Sequence, residues 1–218
     1  MKTGSIRQLI DVLEQAFASL GVSVPDQGLE AIAVTVHKAM SVEARHFHTP
    51  EHVLGLVDPA NPIQSLAALF HDLVYHQVDR GFSHEVCEVI CPYIQESDGE
   101  MFQVRQEILE NRSYALAMEI FGFEAGQMLA FSVGLNEFVS ALVMCHRLGE
   151  LIPEKELLKT IVYIEATIPF RGENADRVGP FEVLAGRLAS VCSQHNIPMD
   201  AAEQLDTIQG AVVFANKD

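Results

Sequence analysis

Five of the nine histidines fall between positions 46 and 76. They stand in the segments Arg45-His46-Phe47-His48-Thr49-Pro50-Glu51-His52-Val53 and Leu69-Phe70-His71-Asp72-Leu73-Val74-Tyr75-His76. Imidazole nitrogens and carboxylate oxygens together suit first-row divalent metals, and no partner cysteine stands near enough to suggest a closed structural zinc site. The pattern points to an open, catalytic type of metal site. His71 and Asp72 lie in the otherwise apolar stretch 65–74, so two ionisable groups face burial in what reads as a core helix. A shared cation is one of few ways to offset that cost. Neighbours on a helix point about 100° apart, so both reach one ion only if other elements complete the shell. His52 can do so from the preceding helix. Taken alone, the pair favours a plainer role, a buried His–Asp hydrogen bond that orients the imidazole.

The elements that must position these groups are helical. Ile6, Leu9, Ile10, Leu13, Phe17 and Leu20 recur at steps of three and four, and the same spacing runs through most of the chain. Strand-like alternation is nearly absent, which predicts an all-α bundle. Pro25-Asp26, Thr49-Pro50 and Asn61-Pro62 mark helix starts ahead of apolar stripes. Later helices are predicted over about 83–95, 100–110, 113–121, 123–148, 154–168, 181–195 and 199–215, with a surface loop over Arg171–Asp176. The whole of 1–218 reads as one domain, with the metal-site core over about 26–170 and C-terminal helices over 181–218. The apolar run Gly210–Ala215 stops three residues before the last position, so it is expected to pack under a continuation of the chain or against a second subunit.

Composition narrows the task. Hydrophobic residues make up 49% of the 218, enough for one sizeable core. Lys and Arg number 14 against 30 Asp and Glu, a net charge of -16 that repels nucleic acid and anionic lipid unless local cations intervene. No apolar run reaches the roughly 18 residues of a membrane span, and residues 1–5 lead into a polar-interrupted helix, so a cytoplasmic protein without membrane partners is expected. The four cysteines are scattered. Buried, reduced thiols are the expectation, although Cys87 and Cys91 stand one helical turn apart and would also suit a metal or a redox pair.

A histidine opening one helix, a His-Asp pair nineteen residues later and a late carboxylate together resemble the HD superfamily. More narrowly, His48-Thr49-Pro50-Glu51-His52-Val53 and Ala68-Leu69-Phe70-His71-Asp72-Leu73-Val74-Tyr75 are similar to a subgroup of predicted HD phosphohydrolases. That subgroup carries His-Asn-x-x-His-Val and Phe-His-Asp-x-Val-Tyr segments. The resemblance is specific over 45–76 and weak elsewhere. It implies an HD-like helical bundle, a divalent metal (Mn, Fe, Co, Ni, Zn or Mg) and hydrolysis of a phosphomonoester or phosphodiester, commonly of a nucleotide.

Carried over position by position, the first histidine is His52, with His48 as the competing choice, and the signature pair is His71 and Asp72, which would also be the catalytic groups. The late stretch Ile164-Glu165-Ala166-Thr167-Ile168-Pro169-Phe170-Arg171-Gly172 stands where the subgroup has Leu-Asp-x-Asp-Leu-Ala-Ile-Leu-Gly, which puts Glu165 at the distal ligand. Thr167 then replaces a second aspartate. Asp218 is the second candidate for the distal ligand. The subgroup's Asn-Glu-x-x-Ser-Ala segment is not found around Phe82-Ser83-His84-Glu85-Val86, just after the His-Asp helix.

Arg171 and Arg45 are candidate phosphate clamps, each more commonly a solvated surface residue. His76, His84 and His146 are candidates for a second ion or a proton donor, though His146 equally suits the end of its helix, where the dipole favours a cation. His37 and His195 receive no role. The competing functions are a metal-binding regulatory or interaction module without turnover, a di-iron oxygenase on the same framework, and a plain helical interaction protein.

Overall fold

The computed structural model describes residues 4–97, 101–169, 171–173 and 176–218. Phe170 of the late stretch, Asn174 and Ala175 of the expected loop, and the first residue of the helix expected over 100–110 lie outside them. The framework follows from the apolar stripes. Helices α1 (Ser5–Ser19) and α2 (Asp26–Met40) each bury one face, through Leu9, Leu13 and Phe17 and through Leu29, Ile32 and Val36. Both faces serve a core whose centre is α4 (Pro62–Phe70), where every residue from Ile63 to Phe70 is buried. A helix apolar on all sides must be surrounded. It is enclosed by α1, by α3 (Pro50–Gly55), by α8 (Leu135–Leu148), by α9 (Glu154–Ala166) and by α11 (Ala201–Ala215), while α7 (Arg112–Phe121) and α10 (Pro180–His195) pack on the far side of α9. Two short helices, α5 (His76–Asp79) and α6 (His84–Ile90), complete the set. Asn61, Ser83, Asn111 and Asp200 cap α4, α6, α7 and α11 through side-chain oxygens.

The chain is predominantly helical and not all-α. A three-stranded antiparallel sheet runs in the order β1 (Ile94–Glu96), β2 (Met101–Val104), β3 (Met128–Ala130). It occupies segments expected to be helical. The cause is a short alternation: Ile94, Phe102, Val104 and Leu129 are buried, and Ile94 pairs with Val104 and Phe102 with Leu129 across the strands. The long helix expected over 123–148 begins only at Leu135. Gly134 holds φ at +92°, and a Cβ there would stand 2.4 Å from Ile168 Cδ1, so the position needs both the left-handed backbone and the missing side chain.

Two further expectations change. Cys87 and Cys91 are joined by a disulfide across the last turn of α6, with Cα atoms 4.9 Å apart, inside the range such a bond spans. Cys145 and Cys192 are free and buried. The apolar run Gly210–Ala215 needs neither a continuation nor a second subunit to cover its inner face, because α11 lays Ala211 and Phe214 onto α9 and α4 of the same chain. Among the described residues no helix is long and apolar enough to cross a membrane.

The seat of α11 is tight at one point. A Cβ at Gly210 would lie 1.9 Å from Tyr163 Oη and 2.9 Å from its Cζ, and Tyr163 is buried with its hydroxyl accepting from Asn61 Nδ2. Alanine is the better helix former by about 1 kcal/mol, yet Gly210→Ala is expected to destabilise by about 1–3 kcal/mol through overpacking. Thermal unfolding checks this, and a stabilised variant would show that α11 is not packed this closely.

Candidate metal centre

The His-Asp pair stands at the end of α4 and not inside it. Phe70 is the last helical residue; His71 forms the C-cap and Asp72 lies in the turn that follows. The turn that follows the helix carries carbonyls that need partners away from water, and Arg45 supplies them. Its Nη1 donates to the Asp72 carbonyl at 2.7 Å and its Nη2 to the Leu73 carbonyl at 3.1 Å. Its charge is met by Asp79, which accepts from Nε at 2.8 Å and from Nη2 as well. The Arg45 side chain is wholly buried. With α4 terminated, the Asp72 side chain turns toward α3.

Four donor atoms then meet. His52 Nε2 from α3, His71 Nε2, an Asp72 oxygen and an Asp218 oxygen just beyond α11 all lie within 4.8 Å of one another. His71 Nε2 is 3.0 Å from Asp72 Oδ2 and 3.2 Å from Asp218 Oδ1; His52 Nε2 is 3.4 Å from Asp72 Oδ2 and 3.0 Å from Asp218 Oδ1. Of these contacts the His71–Asp218 pair has hydrogen-bond geometry. His52 Nε2 and Asp72 Oδ2 are buried without any hydrogen-bond partner. Donors held about 2.0–2.2 Å from a shared ion stand about 3.0 Å apart at a right angle and about 3.4 Å apart at a tetrahedral angle. The spacing of these atoms, and the two among them, His52 Nε2 and Asp72 Oδ2, that find no hydrogen-bond partner, therefore fit a cation between them. His71 Nδ1 lies 3.0 Å from the Ala68 carbonyl, which places a proton on that nitrogen and leaves Nε2 to face the group. Phe214 packs edge-on to the His71 ring at 5.6 Å and fixes its plane.

The charges depend on one another. The Asp218 carboxylate, then Asp72, lifts His52 to about 9. Burial alone would pull His71 down, but Asp72 and Asp218 raise it to about 10. Burial alone would push the two carboxyls up; the imidazoles prevail, taking Asp218 to about 2 and holding Asp72 well below the usual carboxylate range. Without a cation the group is thus two imidazolium–carboxylate pairs.

Glu165, expected as the distal ligand, is elsewhere. Its side chain is fully buried and faces Arg171 and Arg187, with Arg187 Nη1 at 3.2 Å. Burial raises its pKa against the pull of both arginines. Position 165 looks toward α10, which carries Arg187, and Asp218 takes the place by the histidines. Thr167 donates its hydroxyl back to the Ile164 carbonyl at 2.8 Å and offers no ligand. Neither arginine expected as a phosphate clamp is free for it: Arg45 is bound to the turn after α4 and to Asp79, and Arg171 is tied to the Glu165 carboxylate and, at 3.0 Å, to its carbonyl.

His76 sits in an aromatic cluster, 4.6 Å from Phe82, 5.1 Å from Phe102 and 5.0 Å from Phe131 between ring centres. His84 is exposed and pairs with Glu88 at 3.3 Å, and His146 is exposed at the end of α8. None of the three joins the four donors. His48 comes nearest, with Nε2 3.5 Å from Asp72 Oδ2, and burial lowers its pKa. His37 bonds Ser5 and His195 bonds Glu119.

A cavity of about 560 Å³ opens beside the donors, and Phe47, His48, Asp72, Tyr75, Glu137 and Asp218 are among its walls. Among the described residues no Lys or Arg lines it. Glu137 was missed from the sequence. Burial, with Asp72 nearby, lifts it to about 7. Two neighbours on α8 brace the turn after Asp72: Asn136 Oδ1 accepts from the His76 amide at 3.1 Å and Ser140 Oγ from the Val74 amide at 2.9 Å. The signal was present, since Asn136-Glu137-Phe138-Val139-Ser140-Ala141 reads Asn-Glu-x-x-Ser-Ala. It lies more than sixty residues beyond the His-Asp pair and not directly after the His-Asp helix.

No family model, curated protein or solved structure matches the chain.

The charge coupling has a measurable consequence in metal-free protein. His52 and His71 titrate near 9 and 10 when folded and at about 6.5 when unfolded. Their raised values add stability that is complete below about pH 6.5 and lost as pH climbs through 9 to 10. In chelator the melting temperature should fall between pH 6 and pH 10, and Asp218→Asn should flatten that slope. An equal slope in both proteins would dissociate Asp218 from the histidines.

Proposed function

We propose that this chain is a divalent-metal-dependent phosphohydrolase of the HD type, acting on a small phosphomonoester or phosphodiester, a nucleotide among them. One observation carries the reading: His52, His71, Asp72 and Asp218 bring four donor atoms within 4.8 Å of one another, and two of them, His52 Nε2 and Asp72 Oδ2, are buried with no hydrogen-bond partner. The Asn136–Ala141 segment, which braces the turn holding Asp72, adds the pattern that the resemblance had lacked.

A bound divalent ion would supply Lewis acidity, lowering the pKa of a water and offsetting phosphoryl charge. The chain does the rest. Asp72 and Asp218 bring the anionic charge that selects a cation, and the Ala68 carbonyl orients the His71 ring. Glu137, which burial and the neighbouring Asp72 raise to about 7 in the ion-free protein, is positioned on the cavity wall to give a proton to a leaving oxygen. Phe47 and Tyr75 offer aromatic surface to a flat leaving group such as a nucleobase.

The absence, among the described residues, of any Lys or Arg from that wall favours one second reading, a metal-binding module without turnover, because a phosphate would then have no guanidinium or ammonium to bind it besides the ion. Elemental analysis followed by assay separates the two. About one divalent ion per chain is expected, lost in the His71→Ala/Asp72→Ala double variant and in Asp218→Ala but retained in Glu165→Gln. Against phosphomonoesters, cyclic nucleotides and nucleoside triphosphates, Glu137→Gln should keep the ion and lose about 10²–10⁴-fold in turnover. A loaded chain inactive on the whole panel supports the module. A folded chain that stays empty when metal is offered overturns both.

A further inference from the structure

A second cavity, of about 450 Å³, lies between α2, α6 and the end of α8, and none of the four converging donors lines it. Its walls are largely apolar: Val34, Val42, Leu73, Phe82 and Val86 face it, and Val34 and Val42 remain more than a third exposed. Exposed β-branched side chains at a concave mouth leave apolar surface that a ligand would cover. The volume lies within the range of small-molecule sites.

The charges around this cavity do not cancel. Asp79 is committed to Arg45, and Glu85 to Lys38 at 3.2 Å. That leaves Arg80 at the rim and Arg147 from α8, neither of which has an ion-pair partner among the described residues. The Nε of Arg147 is buried with no hydrogen-bond partner. In a chain of net charge -16, a guanidinium with a buried, unpartnered Nε in a cavity whose two carboxylates are already paired to other cations is an exception that calls for an anion.

We propose that this cavity binds a small amphiphile, an aliphatic body carrying one anionic group, with a medium-chain carboxylate as its simplest form. The apolar walls take the body and Arg147, aided by Arg80, takes the charge. Nucleic acid is excluded by the enclosed shape and the surrounding negative charge. The inference is independent of the metal centre, and Val74, which lines both cavities, is where the two sites adjoin.

The test is calorimetric titration of the full chain, treated with chelator so that no carboxylate can bind a metal, with decanoate, decanol and acetate. Decanoate should bind at one per chain, with decanol and acetate each at least tenfold weaker. Arg147→Gln removes a residue without a partner and should weaken decanoate about tenfold while leaving decanol unchanged. Ala31→Trp, at an exposed position on the cavity wall, should block all binding without disturbing the core. No saturable uptake at millimolar decanoate, decanoate affinity in Arg147→Gln within twofold of the parent, or undiminished binding in Ala31→Trp would each overturn the proposal.

Discussion

The candidate centre depends on how α4 ends. A fully apolar helix driven into the middle of the core brings the turn that follows it inward, and the carbonyls of that turn cannot be left bare there. Arg45 meets that need with two donors to the carbonyls of Asp72 and Leu73, and Asp79 meets the charge that Arg45 brings. Because this cap holds the turn open, Asp72 leaves the helical path and faces His52. The arginine sits thirty-four residues before Asp79 and is wholly buried, so the turn, α5 and the segment before α3 are tied through one guanidinium. Its role is to shape the site and not to hold a ligand.

A second constraint follows from burying charge of both signs in the same place. Two carboxylates and two imidazoles within 4.8 Å are tolerable because each holds the others in the charged state, and their pKa values move apart accordingly. The arrangement is balanced by two protons when no cation is present and by one divalent cation when it is. Proton and metal are thus alternative occupants of one electrostatic role, which is why affinity for a cation must rise with pH until the imidazoles are neutral.

Much of this was legible in the sequence, and the failures are informative. The helix starts at Asp26, Pro50 and Pro62 followed from proline and cap chemistry, and His52, His71 and Asp72 from their clustering in apolar surroundings. The sheet was not legible, because strands of three and four residues carry too little alternation to compete with helical spacing on either side. Glu165 was placed by likeness to a linear pattern, but one helix face decides its fate, and that face meets Arg187 from α10. Asp218 lies 146 residues from Asp72, and only the docking of α11 through Phe214 and the close approach at Gly210 brings it there. Ligands contributed by tertiary packing leave no local trace.

The disposition of cations ties these points together. Arg45, Arg171 and Arg187 are each spent on interior carboxylates or carbonyls, where they hold the protein's own elements in place. No Lys or Arg among the described residues lines the cavity beside His52 and His71 to attract an anion. Any phosphate bound there would have to be drawn by an ion held in the cluster, and the same four donors that keep the site compact in its absence would determine whether the site has any affinity for substrate at all. Structure, charge balance and chemistry at this centre are therefore inseparable: a change that removes one donor unbalances the buried charges at the same time as it removes the means of binding.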